Sequence, residues 1–198
     1  MKRKGNLYEN TYKIENIISA ANEVCRNTKN KREVNRFKNF RCIFILRIYN
    51  DLKNKTYKVG PYNEFTIYEP KERKIVSQKT YDKIINHLIS RHILMPAIMP
   101  KLIEQNVASR VGMGTKMGLY YHYKYLRLCK QKYERFYILK CDVSKYFASI
   151  DHDILKQKVE KVIKDKDALK IVFDVIDSVE EGLRDSVIWR LKFWQCFI

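Results

Sequence analysis

Two spacings of apolar residues run through this chain. Apolar positions three and four apart mark amphipathic helices, and apolar positions two apart mark strands. Helical spacing joins Ile14, Ile17, Ile18, Ala21 and Cys25 over residues 11–25. A polar, basic break over residues 27–32 precedes a second expected helix, residues 33–51, where Val34, Phe37, Phe40, Phe44 and Ile48 share a face and Arg36, Arg41 and Arg47 lie off it. Gly60-Pro61 marks a turn. Two short strand-forming runs, residues 64–68 and 74–78, flank the polar link Glu69-Pro70-Lys71-Glu72-Arg73 and predict a hairpin. The helix expected over residues 80–94 is strongly periodic through Tyr81, Ile84, Ile85, Leu88, Ile89 and Ile93, and Pro96 and Pro100 are expected to end it.

A basic, tyrosine-rich helix is expected over residues 117–133, with Leu119, Tyr123 and Leu126 as its core stripe. Residues 136–143 alternate as a strand, placing Phe136, Ile138, Lys140 and Asp142 on one face. Asp151 is positioned to cap a helix striped by Ile154, Leu155, Val159, Val162 and Ile163. A charged Lys-Asp-Lys-Asp turn leads to the last expected helix, residues 168–179, with Leu169, Val172, Phe173 and Ile176 on its apolar face.

Charge sharpens the picture. The 198 residues carry 40 basic and 22 acidic side chains, a net +18. Residues 1–135 hold 29 basic and 11 acidic groups and the remainder 11 of each, so the whole excess lies in the first part. A merely solubilising charge has no reason to segregate in this way, and the segregation points to a nucleic-acid surface. The five cysteines form no Cys-x-x-Cys and stand near no histidine pair, which excludes a disulfide framework or zinc site and fits a reduced, cytoplasmic protein. No run approaches the ~18 apolar residues that span a bilayer. His87 and His92, five apart on one helix, read as packing or surface residues.

Three stretches carry candidate chemistry. Asp142 ends an apolar strand, where an unpaired carboxylate is costly to bury, so it either turns the chain or meets a cation. Lys71 and Arg73 occupy the hairpin link, an ordinary place for solvated charges and a suitable one for gripping phosphate. Gly112 and Gly114 let backbone approach a phosphate closely, with Arg110 and Lys116 supplying charge. No Gly-x-x-x-x-Gly-Lys-Ser/Thr occurs, so a P-loop nucleotidase is not supported. Tyr120, Tyr121, Tyr123, Tyr125 and Tyr133 interleave with lysines and arginines, a pattern that suits either a single nucleic-acid strand or, in part, a core stripe.

The order Leu-Lys-Cys-Asp142-Val-Ser-Lys-Tyr-Phe147-Ala-Ser-Ile-Asp-His-Asp resembles the first palm motif of bacterial reverse transcriptases. The short Pro-Lys71-x-Arg73 link and the Arg110-x-Gly112-x-Gly114-Thr loop resemble the fingers hairpin and the template-primer loop of that family, closest to the enzymes of diversity-generating retroelements and to the group II intron lineage. The resemblance implies an α/β (α+β) fold: helical and β-hairpin fingers over residues 1–135, then the start of a right-hand polymerase palm, incomplete, over 136–182. It also implies an RNA-directed DNA polymerase, a nucleotidyltransferase. Asp142 and the Val143 carbonyl would hold Mg²⁺; Lys71, Arg73, Ser144, Lys145, Tyr146 and Phe147 would surround the dNTP; Arg110, Gly112, Gly114 and Lys116 would face nucleic acid. The implied partners are an RNA template, a DNA or RNA primer, dNTP and an accessory protein, with no membrane.

The likeness stops at Gly182-Leu183, short of the family's Ser-Gln motif and its paired aspartates. Trp189 and Trp194 have single codons, and a one-base shift there permits Asn-Leu-Ala-Ser-Gln-Val-Leu-Ala-Met-Phe-Tyr, which contains the missing motif. Residues 183–198 are therefore expected to be out of frame and this chain to be inactive, because one carboxylate cannot assemble a two-metal site. A non-catalytic basic RNA-binding module is the alternative.

Overall fold

A computed structural model describes residues 3–28, 30–68, 72–108, 110, 112–143 and 149–178, with backbone alone at 67 and 73–76. The fold is helix-rich: eight α-helices, three shorter helical turns and one two-stranded hairpin are present among these residues. The expected α/β character is thus reduced to the hairpin, β1 (Asn63–Ile67) antiparallel to β2 (Arg73–Ser77), in register from Asn63 opposite Ser77 to Ile67 opposite Arg73.

The core forms where the helical stripes meet. Helix α1 (Ile14–Asn27) turns Ile17, Ala20, Ala21 and Val24 inward. The helix expected over 33–51 is two, α2 (Lys31–Asn39) and α3 (Arg41–Lys53), because Phe40 takes φ −112° and ψ 27° between them. This break turns Phe40 out to solvent while Phe37, Ile45, Ile48 and Leu52 stay buried. Helix α4 (Thr80–Ile89) lies at the centre, with Ile84, Ile85, Leu88 and Ile89 all fully enclosed.

Pro96 does not end this helix. The chain continues through a wide turn, Ser90–Leu94, into α5 (Met95–Ile98), with the Met95 N–H reaching back five residues to the Ser90 carbonyl. That register opens the space a proline ring would otherwise contest with the preceding turn, and places Pro96 in the first turn of α5, where no N–H is required. Pro100 then lies in a tight turn, Met99–Lys101.

Helix α6 (Thr115–Lys132) starts at Gly114, whose φ of 124° and ψ of −160° suit glycine. Asp151 caps α7 (His152–Glu160) by accepting from the Asp153 and Ile154 amides at 2.8 and 3.0 Å, as the spacing predicts. Helix α8 (Lys166–Asp177) pairs with α7, and Lys156 bonds Asp177 across them at 2.6 Å. Leu155, Val159 and Ile163 join Val172 and Ile176 in the same buried cluster as α1 and α4.

Residues 136–143 form no strand. No other described strand lies beside them, and an unpartnered extended segment makes no ladder. Ile138 is 64% exposed and Leu139 87%, so the alternating pattern faces water on both sides. Ser144, Lys145, Tyr146 and Phe147, Lys71 and the tail over 179–198 lie outside the described residues.

The N-terminal arm closes the structure. Lys4 pairs with Ile163 through the Lys4 N–H to the Val162 carbonyl at 3.0 Å and the Lys164 N–H to the Lys4 carbonyl at 2.7 Å. Asp165 then uses both carboxylate oxygens. Oδ1 accepts from the first amides of α8, Asp167 and Ala168, and Oδ2 accepts from Leu7 and Tyr8 at 2.8 and 2.9 Å. Partial burial works to raise the Asp165 pKa, but these four N–H donors outweigh it and hold the carboxyl below its ordinary value.

A carboxylate with a depressed folded pKa adds stability above its unfolded value, about 3.9, and loses it as pH falls through the folded value. Asp165→Asn keeps one carbonyl oxygen and so can cap α8 or hold the arm, but not both. We expect it to cost roughly 1–2 kcal/mol at pH 7, and Asp165→Ala roughly 2–4 kcal/mol. Urea melts from pH 7 to 2.5 check this: the difference between wild type and Asp165→Asn should shrink as pH drops below about 4.

Candidate nucleic-acid interface

The loop before α6 is built by its own residues. The Arg110 guanidinium donates through Nη1 to the carbonyls of Ile103, Glu104 and Asn106 at 3.1–3.5 Å, so one arm of the expected phosphate contact holds the loop instead. Gly112 takes a φ of 77° and Gly114 one of 124°. Lys116, on the first turn of α6, is exposed. Arg110, Gly112, Gly114 and Lys116 are thus brought together at the start of one helix, as their order in the sequence requires.

Helix α6 presents two different faces. Tyr121 is buried and donates to Glu104 Oε1 at 2.8 Å, and the Tyr125 hydroxyl accepts from the Gln105 side chain. These bonds fasten one side of the helix to residues 104–105. About 3.6 residues per turn puts Lys116, Tyr120, Tyr123, Arg127 and Lys130 together on the other side. All five are exposed, Tyr123 to 64%. The core stripe expected from Leu119, Tyr123 and Leu126 is not formed, since Leu119 and Tyr123 face solvent and only Leu126 is half-buried. No described element covers that side, so its period reports shared direction and not burial.

Asp142 stands in the exposed segment after α6, without a hydrogen bond or ion pair among the described residues. No group of three or more His, Cys, Asp or Glu side chains placed to hold a metal occurs among them. Acids that follow it belong to the α7–α8 pair: Asp151 caps α7, Asp153 lies in its first turn, and Asp177 is paired with Lys156. One carboxylate with the neighbouring Val143 carbonyl fits a largely hydrated Mg²⁺ and does not fit a pair of metal ions. Arg73 lies in β2 opposite Ile67, and no described contact joins that strand to Asp142.

The sequence did not single out the cleft at the base of the hairpin, about 700 Å³ in volume. It opens between α2, α3, the loop into β1 and the first turn of α4. Phe37 and Phe44 stack with centroids 5.4 Å apart, Tyr81 continues the wall 6.5 Å from Phe44, and the Arg47 guanidinium lies 5.4 Å over Tyr81. Its acids are all engaged. Asp51 accepts from Tyr81 at 2.6 Å; Asp82 accepts from Tyr57 at 2.9 Å and from Gly60 N–H at 3.2 Å; Glu33 accepts from Thr80 N–H and faces Lys83 at 3.9 Å. A Cβ at Gly60 would come within 2.8 Å of Asp82, so this close approach requires glycine. Burial first, then the bond to Asp51, pushes the Tyr81 phenol up, which keeps it a neutral donor.

Arg36 and Arg47 were the visible signal for this cleft, as basic residues set off an apolar stripe. Lys58 and Lys79 gave none, because nothing in their neighbours distinguishes them from solvated lysines. Among the described residues no helix is long and apolar enough to cross a membrane. No family model matches the chain, and no curated protein matches it.

Proposed function

We propose that this chain is the fingers and opening palm segment of a reverse transcriptase, and that on its own it binds RNA without extending a primer. The observation that carries the binding half is the exposed face of α6, where the cations Lys116, Arg127 and Lys130 flank the rings of Tyr120 and Tyr123 along about 20 Å of helix. Cations there meet backbone phosphates, and the tyrosine rings offer surfaces on which unpaired bases stack. The reverse-transcriptase half rests on the motif order around Asp142, the hairpin carrying Arg73 and the Gly112-Gly114 loop. In a complete site Asp142 would contribute one of several metal-holding carboxylates, and the metals would supply charge to the transferring phosphate.

A non-catalytic RNA-binding module is the second reading, favoured by the isolation of Asp142 from other acids among the described residues. The two readings share the α6 surface and part at the chemistry.

Binding to a fluorescent single-stranded RNA should weaken steeply with salt, with a log–log slope of several units. Tyr120→Ala with Tyr123→Ala should weaken it on the order of tenfold or more while leaving the slope unchanged, since stacking contributes about 1–3 kcal/mol per base. Lys116→Gln with Lys130→Gln should instead lower the slope by about 1.4. Anisotropy titrations from 50 to 300 mM salt separate the two effects, and unaltered binding by both variants would exclude α6 as the interface.

Offered primer, template, dNTPs and Mg²⁺ or Mn²⁺, the chain should give no extension product on a sequencing gel. Extension that disappears in Asp142→Ala would show that the chain assembles a working metal site after all.

A further inference from the structure

The cleft at the hairpin base has the wrong charge balance for an empty groove. Arg36, Lys58 and Lys79 line it and are exposed, and none of their side chains makes a hydrogen bond or ion pair among the described residues. Its three acids already accept from Tyr81, Tyr57, Gly60 and Thr80. These acids keep their charge, but the four cations Arg36, Arg47, Lys58 and Lys79 outnumber them by one, and the exposed charged side chains of the lining are cations.

Helix α4 begins in the same place. Its N-cap is Lys79, which offers no side-chain acceptor, so the Tyr81 and Asp82 amides have no partner among the described residues. Unsatisfied amides and the helix dipole both favour an anion there. An independent sign comes from Thr80. It lines the cleft, is only 3% exposed, and its hydroxyl finds no hydrogen-bond partner. A buried hydroxyl left unmatched costs stability and is retained where something else completes it.

The size and the wall define the rest of the ligand. A cleft of about 700 Å³ lies in the range of small-molecule sites and far exceeds a bare phosphate. Half-buried Phe44 and Tyr81, with Arg47 above the Tyr81 ring, make an aromatic surface next to the cationic one. An anion attached to a flat aromatic group matches both.

We propose that this cleft binds a nucleoside 5′-phosphate, with its phosphate among Arg36, Lys58, Lys79 and the start of α4 and its base against Phe44 and Tyr81. The site is separate from the triphosphate grip expected of Lys71 and Arg73. Arg73 pairs with Ile67 at the far end of the hairpin, about 13 Å away at ~3.3 Å per strand residue, whereas the cleft meets the hairpin at its base, at Asn63. The nucleotide is either free in solution or one unit of an RNA strand; both offer the same phosphate and base.

Calorimetric titration of the full chain with adenosine 5′-monophosphate tests the site. Adenosine 5′-monophosphate should bind at least tenfold more tightly than adenosine or inorganic phosphate. The double variant Arg36→Gln, Lys79→Gln alters exposed side chains only and should lose at least tenfold in affinity. Lys161→Gln with Lys170→Gln removes the same charge from exposed positions outside both sites and should lose less than twofold. Thr80→Val should weaken binding at least threefold and raise the melting temperature of the ligand-free chain, because it removes a hydroxyl that only the ligand satisfies. Displacement of the nucleotide by a single-stranded RNA oligomer identifies the strand as its source, and binding undisturbed by that oligomer identifies the free nucleotide. Equal affinity for inorganic phosphate and the nucleotide, or equal losses in the two lysine-containing double variants, would overturn the proposal.

Discussion

The fold depends on one carboxylate shared between two distant parts of the chain. Asp165 gives Oδ1 to the opening amides of α8 and Oδ2 to Leu7 and Tyr8, more than 150 residues away in sequence. Once the arm is fixed, Tyr8 reaches the Leu52 carbonyl at the end of α3 with a 2.7 Å bond. That bond adds a side-chain donor to a carbonyl that otherwise receives only the turn amides of Asn54 and Lys55. Burial, helped by the charges of Asp167 and Asp165, pushes the Tyr8 phenol up to about 12, so it remains a donor at any ordinary pH. Lys55 adds a 2.7 Å ion pair to Asp167 beside it. The α7–α8 pair is thereby joined to α3 through the arm, and Ile163, Val172 and Ile176 are held against the older part of the core.

Helices were legible because a 3.6-residue period needs no partner to be recognised. Ile17, Ile84, Leu88, Val159 and Val172 all lie where that period places them. Breaks in the period were not legible. Phe40 continues the stripe of Val34 and Phe37 perfectly in sequence, yet its backbone leaves helical geometry and its ring is exposed. Pro96 looked like a stop and was absorbed by a five-residue turn. Periodicity also cannot say whether a face is covered. Tyr123 on α6 and Leu88 on α4 carry equally good helical spacing, and only the placement of neighbouring helices makes one surface and the other core.

The two candidate sites differed in legibility for a related reason. The α6 surface is local: its cations and rings are interleaved within one helix, so composition and spacing reveal it. The cleft gathers Glu33 and Arg36 from α2, Arg47 from α3, Lys58 from a loop, and Lys79 and Thr80 from the start of α4. What makes it distinctive is which charges remain unpaired, and pairing is a property of three-dimensional contact. Asp82 illustrates this, since in sequence it is one acid near many bases, whereas in the fold Tyr57 and Gly60 use it up.

The segment around Asp142 shows how far a local motif can reach. Apolar alternation over residues 136–143 selects an extended backbone, but a strand exists only when its amides and carbonyls meet another strand. No described strand does so here, and Tyr137, Ile138 and Leu139 face solvent. The same dependence governs the chemistry. A carboxylate at the end of a strand becomes part of a two-metal site only when adjoining strands deliver further carboxylates within a few ångströms, so strand pairing and metal binding require the same neighbours. Exposed apolar alternation beside an isolated carboxylate is therefore one observation with two consequences: an edge that favours pairing with another strand, and a carboxylate that only such pairing could bring beside other acids. Any metal site at Asp142 would thus depend on strand pairing that the described residues do not show, whereas the α6 surface and the hairpin-base cleft are built from side chains already in place.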